Sequence, residues 1–443
     1  MGIQYTPDQV ISMAPDSSSA SAGKKLASAK HWKSLGQSSE ALWGECQGSA
    51  LYQVKVDLST FTIQCSCPSR KQPCKHGLGL LLLTIITPDA VPLTEPPEWV
   101  TSWLSRRVEA SKRKEAPKPK KSETPSASQA KTADRRLAQV NAGVDQLDLW
   151  LNDLIRNGLG TLETQPAKFW EAQAAKMIDA QAPGLASRIR RLSTIPNASP
   201  DWPSKLLSHL GQLALLTQAF HHTDQLDTPL QEDIRQLIGW NLKEEDVVAQ
   251  GEHVDDEWLI LGQTFEAVER GQAQNTWLLG TSSGRAAQII QFAYAGTPFA
   301  ENYLLGSRQQ AELVFWPGVQ SQRALVLNRR GDALTIQLSL PGYATIAAFF
   351  DTVATTLASL PWREHFLCTL NNVVPLYDLS NNQWCICDQD GQSLPLTRGD
   401  YWQLLALSGG GPIDFAAEWN GTALLPLGFL VNQQYHALKL NRI

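Results

Sequence analysis

A multidomain α+β chain is the fold class the sequence predicts, and three observations carry it. Three cysteines and a histidine crowd into residues 65–76, where a strand pattern breaks and a helical one begins. Leu137, Val140, Val144, Leu147, Leu151 and Leu154 then follow a three-four spacing, and Pro166, Pro183, Pro203 and Pro229 each stand where a helix can start. Beyond residue 250, short β-like runs mix with helical ones. With 443 residues, 43% of them hydrophobic, the chain has material for several cores at roughly 100–200 residues per domain. The expected division is an N-terminal domain over 1–108, a basic disordered linker over 109–132, an all-α domain over 133–245, and a mixed α+β domain over 246–443.

The elements follow in order. Thr6 can cap a short helix ending at Ser12, and Asp16 a second one reaching about His31. Residues 41–65 alternate, with turns at Gly48-Ser49 and Ser59-Thr60, as a small antiparallel meander does. Pro68 ends it. Pro73 opens a helix over about 74–86, and Pro88 stops that helix. The run from Gly77 to Ile86 is apolar nearly all round, so it must be buried on more than one side. A ribbon covers one side only; the N-terminal helices or a helix at 99–107 must cover the rest. From Arg106 to Arg136 eleven Lys or Arg meet four acids, with Pro117, Pro119 and Pro125, which reads as disordered or extended chain. About five helices are expected in the middle domain. In the last third, β-like runs fall at 258–262, 276–280, 287–294, 311–316 and 323–328. A helix fits 345–360, a hairpin turns at Asp390-Gly391, and 401–407 is helical.

The chemistry lies in Cys65-Ser-Cys67-Pro-Ser-Arg-Lys-Gln-Pro-Cys74-Lys-His76. Zinc takes four such ligands tetrahedrally, and this spacing supplies one pair from a turn and the other from a helix start. Arg70, Lys71 and Lys75 flank the site and offset its thiolate charge. One structural Zn²⁺ held by Cys65, Cys67, Cys74 and His76 leaves no open position for water or substrate, which argues against zinc catalysis. The expected element is a small ββα-type zinc finger embedded in the N-terminal domain.

The Cys-x-Cys, the six-residue gap and the Cys-x-His, set between a ribbon and an apolar helix, resemble a SWIM zinc finger. The whole chain resembles the bacterial SWIM zinc finger family proteins, although only the finger carries a quotable motif. The resemblance implies zinc binding, and as a class it implies protein or DNA binding. It further implies association with AAA+ ATPase machinery.

Weaker constellations have plainer readings. Cys385 and Cys387, with Cys368 and His436, invite a second metal site; two strand cysteines packed beside Trp384 are the preferred reading. His221-His222 with Asp224 and Asp227, and Glu252-His253 with Asp255 and Asp256, read as solvated loop charge. Ser408-Gly409-Gly410-Gly411-Pro412 lacks the lysine and helix of a phosphate loop and reads as a turn after a helix. No nucleophile elbow or His-Glu-x-x-His is present, so no enzyme is expected.

Residues 1–132 carry 17 Lys and Arg against 11 Asp and Glu, while the remainder carries 21 against 32. A basic front on an acidic body suits either docking on a protein partner or contact with nucleic acid. In the second case Arg70, Lys71, Lys75, Arg113, Lys114, Lys118, Lys120 and Lys121 would meet phosphates. No apolar run is long enough to span a bilayer, no signal peptide opens the chain, and a cytoplasmic protein is expected.

Overall fold

A computed structural model describes residues 6–69, 71–115, 127–268, 271–294 and 299–438. The chain opens with α1 (Pro7–Ser12) and α2 (Ser17–Leu26), capped by Thr6 and Asp16 as expected. A four-stranded antiparallel meander follows: β1 (Trp32–Gln37), β2 (Ala41–Gln47), β3 (Leu51–Asp57) and β4 (Thr62–Cys65). Strand β1 departs from the helical character expected up to residue 40, since α2 ends at Leu26 and Trp32–Gln37 pairs with β2. Next come α3 (Lys75–Ile86) and α4 (Glu98–Glu115). Helix α3 buries nine residues from His76 to Thr84. Helices α1 and α2 cover one side of it and the meander covers another. Helix α4 instead packs on the opposite face of the meander, where Val100 meets Ala41 and Trp43. Glycine permits the close crossings: a Cβ on Gly77 would lie 2.4 Å from Ile63 Cγ2, and one on Gly79 2.7 Å from Leu26 Cβ.

The stretch expected to be extended from Arg106 to Arg136 is helical at both ends. Helix α4 continues to Glu115, and α5 (Ala127–Asn157) begins before the apolar stripe it serves. Regular backbone hydrogen bonding suits these Ala-, Lys- and Glu-containing ends better than composition alone suggests. Helices α6 (Ala167–Asp179), α7 (Pro183–Leu192), α8 (Trp202–His221) and α9 (Thr228–Ile238) complete a bundle, and α10 (Glu244–Gln250) follows. The four prolines stand at the starts of α6 to α9. The bundle core is built on Val140, Val144, Leu147, Trp170, Ile189, Leu213 and Ile234.

The C-terminal part holds two antiparallel sheets. The first contains β5 (Glu252–Val268), β6 (Gly271–Gly280), β7 (Ala286–Tyr294), β8 (Ser307–Phe315) and β9 (Ala324–Thr335), ordered β7-β6-β5-β8-β9. After α11 (Ile346–Ser359) come β10 (Phe366–Asp378), β11 (Gln383–Cys387), β12 (Ser393–Pro395), α12 (Trp402–Ser408), β13 (Ile413–Trp419), β14 (Leu424–Val431) and β15 (Gln434–Ala437). Their six strands run β12-β11-β10-β13-β14-β15. The sheets meet through Leu259, Leu261 and Trp277 on one side and Ala416, Leu427 and Tyr435 on the other. Helices α11 and α12 cover the far face of the second sheet.

The three parts are joined by specific contacts. Trp362, just before β10, enters the bundle core and donates to Gln212 O at 2.8 Å. Arg188 and Arg191 of α7 both pair with Glu364. The β3–β4 turn of the N-terminal domain sits on the first sheet: Gln309, Arg329 and Asn302 donate to the carbonyls of Ser59, Thr60 and Phe61. Phe61 itself is 2% exposed and packs with Leu304 and Ala333. Among the described residues, no helix is long and apolar enough to cross a membrane.

Candidate metal centre

Strand β4 ends on Cys65, and the chain then turns away from the sheet. Gln53 of β3 fixes this knuckle twice: its N–H donates to Ser66 Oγ at 2.9 Å, and its carbonyl accepts the Ser66 N–H at 3.0 Å. Cys67 follows on the turn. Cys74 is the N-cap of α3, and His76 lies in the first helical turn. Four side chains separated by up to eleven positions are thereby brought to one point.

Their ligand atoms all lie within 4.8 Å of one another. His76 Nδ1 stands 3.7 Å from Cys65 Sγ and 4.0 Å from Cys74 Sγ. A tetrahedral zinc site with Zn–S near 2.3 Å and Zn–N near 2.05 Å needs S···N edges of about 3.6 Å and S···S edges of about 3.8 Å. The cluster therefore fits a zinc ion with small adjustment, and Nδ1 is the ligating nitrogen. The Tyr52 ring lies 4.9 Å from the imidazole and holds its plane. Cys74 is 1% and His76 5% exposed, so the metal faces protein on the helix side.

The electrostatics favour a cation. Without one, the Cys65 thiol and then the His76 ring pull Cys74 down to about 4, against burial. Cys65 is pushed far up, first by sharing its proton with Cys74 and then by burial. Burial also raises Cys67. Crowded sulfurs thus compete for protons, and a divalent ion resolves that competition by replacing them. Cys46 on β2 is buried nearby and raised by burial, but it is outside the ligand group.

The basic residues named around the site divide. Lys71 pairs with Asp16 Oδ2 at 2.7 Å, which ties the ligand loop to the N-cap of α2. Lys75 is exposed on the first turn of α3. Arg70, Lys118, Lys120, Lys121 and the side chains of Arg113 and Lys114 lie outside the described residues. The sequence did not flag Gln53, Ser66 or Tyr52 as supports. A serine between two ligands was the one signal for them.

The weaker constellations do not assemble. Among the described residues, the finger ligands form the one His/Cys/Asp/Glu group able to hold a metal ion. Cys385 and Cys387 lie on β11, Cys368 is fully buried in β10, and His436 is on β15 at the far edge of the same sheet. His221 bonds Asp148 at 2.9 Å instead of joining Asp224 and Asp227. The charges from Glu252 to Asp256 belong to strand β5 and not to a loop. Each meets a cross-strand partner or a turn: His253 pairs with Glu312, Asp255 with Arg330, and Asp256 accepts from Ser282 and Ser283. The glycine run is the expected turn, with Gly409 capping α12 in the left-handed region.

Residues 52–84 match the SWIM zinc finger family, and residues 135–238 match the SWIM-associated four-helix bundle domain. The chain therefore carries a SWIM zinc finger with a Cys₃His site for one zinc ion, followed by the bundle that accompanies such fingers. No curated protein and no solved structure matches the chain.

Proposed function

We propose that this chain is an interaction protein, with the zinc ion shaping a docking domain and the helical and β parts adding surface. It is not an enzyme in this reading. The observation that favours a protein partner is the internal use of three of the finger domain's cations, beside exposed ones such as Lys33 and Lys75. Lys71 is held by Asp16, and Arg107 by Asp57, Thr60 and Thr62. Lys55 stands over the rings of Trp99 and Trp103, 5.5 Å from each, and donates to Trp99 O. Cations engaged in this way are poor counterions for a phosphate backbone. A closed set of four protein ligands supports an organising metal and not a reacting one. Cytoplasmic AAA+ ATPase machinery is the partner class that the SWIM resemblance suggests.

The second reading is nucleic-acid binding through the finger and the basic stretch at 106–136, and the Lys and Arg residues of that stretch other than Arg107 support it. The test is fluorescence anisotropy of the full zinc-loaded chain with double-stranded DNA, single-stranded DNA and RNA at two salt concentrations. Protein docking predicts weak binding at most, with no dependence on Cys74. Tight binding that falls steeply with salt and disappears in Cys74→Ser would replace it with the second reading. A complementary pull-down should recover partners with wild type and lose them with Cys74→Ser. Identical partners from both would remove the finger from the interface.

A further inference from the structure

Four consecutive residues ahead of β10 each fasten a different part of the molecule. Trp362 enters the bundle core. Arg363 donates to the carbonyls of Val319 at 3.3 Å and Gln320 at 2.7 Å, in the connection from β8 to β9. Glu364 turns back to the bundle and pairs with Arg188 and Arg191 of α7. His365 reaches the second sheet, where its Nδ1 lies 2.9 Å from Glu418 Oε1 on β13. This strap ties the bundle, the first sheet and the second sheet at one joint.

The last of these ties differs from the others. Glu418 is 7% exposed and stands in the sheet between Leu367 of β10 and Leu425 of β14. Trp277 of the first sheet donates through Nε1 to its other oxygen, Oε2, at 2.6 Å. His365 is the one cation paired with it among the described residues. The Nδ1 contact lacks the alignment of a hydrogen bond, so charge is what holds it. An imidazole carries that charge only while protonated, whereas the guanidiniums that hold Glu364 keep theirs. The surroundings favour the proton. Glu418 raises His365 above its ordinary value of 6.5, burial opposes, and the charges of Glu364 and of Glu266 on β5 add to the rise. Arg188 and Arg191, behind Glu364, offset part of that field.

We propose that this strap is a pH-operated clasp. Protonated, His365 is the counterion of Glu418 and fastens the strap, and with it the bundle, to the second sheet. Once the proton leaves, the buried carboxylate keeps only the Trp277 N–H, and the strap loosens from β13. An uncompensated buried charge is what makes that state costly. Because the value of His365 is raised on folding, the clasp is fully closed below 6.5 and opens as pH rises through the raised value.

Hydrogen exchange of the full zinc-loaded chain between pH 6.5 and 9, read by mass spectrometry and normalised to intrinsic rates, tests this. Asp233 lies at the same joint and is pushed up to about 6, so its titration falls mostly below that window. Exchange across residues 360–367 should quicken roughly two- to five-fold from the lower pH to the higher, the range that a half-exposed ion pair supplies. His365→Gln takes up no proton there and should lose the change. Glu418→Gln keeps an acceptor for Trp277 and should lose it as well, which guards against a misfolded first variant. Equal exchange of the wild-type strap at the two pH values, or a wild-type rise retained in either folded variant, would overturn the proposal.

Discussion

Chelation of the zinc should unfold the N-terminal domain while leaving the bundle and the two sheets folded. The metal is the direct tie between the end of β4 and the start of α3, since Cys65 and Cys67 come from one and Cys74 and His76 from the other. Domains of about this size have a net stability on the order of 5–15 kcal/mol. Zinc bound by small structural sites contributes roughly 10–16 kcal/mol of apparent binding energy at pH 7, strongly dependent on pH. Loss of the ion therefore removes an amount comparable to the whole margin. The apolar packing of Val54, Val56, Ile63, Leu78 and Leu81 is left to hold α3 alone. It must do so with three thiols and an imidazole crowded within 4.8 Å and competing for protons. Undocking should follow, because Phe61, four residues before Cys65, is the side chain that plugs the finger onto the first sheet. The assay is limited proteolysis of the full chain with and without a chelator, read by mass spectrometry. Cleavage should appear within 6–108 first and leave a resistant fragment containing the bundle and sheets. Cys74→Ser should behave as the chelated protein does. If the N-terminal domain stays protease-resistant after complete zinc removal, the reasoning fails.

Other expectations follow from single contacts. Gly77→Val drives a side chain into Ile63, 2.4 Å from the would-be Cβ, and should cost roughly 1–3 kcal/mol in urea unfolding; an unchanged midpoint would show that the α3–β4 crossing can widen freely. Phe61→Ala should cost about 3–5 kcal/mol at the interface of finger and first sheet, and expose the 59–61 turn to protease while zinc stoichiometry stays at one. Asp233 is pushed up to about 6 by burial, with Glu232 adding to the rise and the Val319 amide and Arg363 opposing it. A folded value above the unfolded one means that its contribution is fully present below about 3.8 and is lost as pH rises through 6. Asp233→Asn should flatten stability between those limits, and pH-resolved thermal unfolding that is identical in both proteins would refute the assignment.

The metal ligands were legible because their chemistry is local: four residue types within twelve positions, at a strand break and a helix start. The helix starts of the bundle were legible for the same reason, since proline acts on its own turn. The runs of β5 to β9, the helix α11 and the β11–β12 hairpin also fell where alternation and turn residues placed them. Strands β10, β13, β14 and β15 did not. In β14, Pro426 and Gly428 argue against an inner strand, yet the structure accommodates them opposite a bulge at Ala416–Ala417, with the Tyr435 ring lying over Gly428. The start of β5 reads as a loop because its charges are visible in sequence while the cross-strand partners of His253 and Asp255, 59 and 75 positions away, are not. Pairing across such separations depends on which strands become neighbours.

By itself, then, the sequence determined the zinc site, the helical middle and the α+β character of the chain, all set by interactions spanning a few residues. Only the tertiary structure decided that α1 and α2 cover α3, that Lys71 is bound to Asp16, and that the finger is fastened to the first sheet by its β3–β4 turn. Those facts come from segments distant in sequence meeting in space, where burial and charge pairing are settled by the packed chain and not by any local pattern.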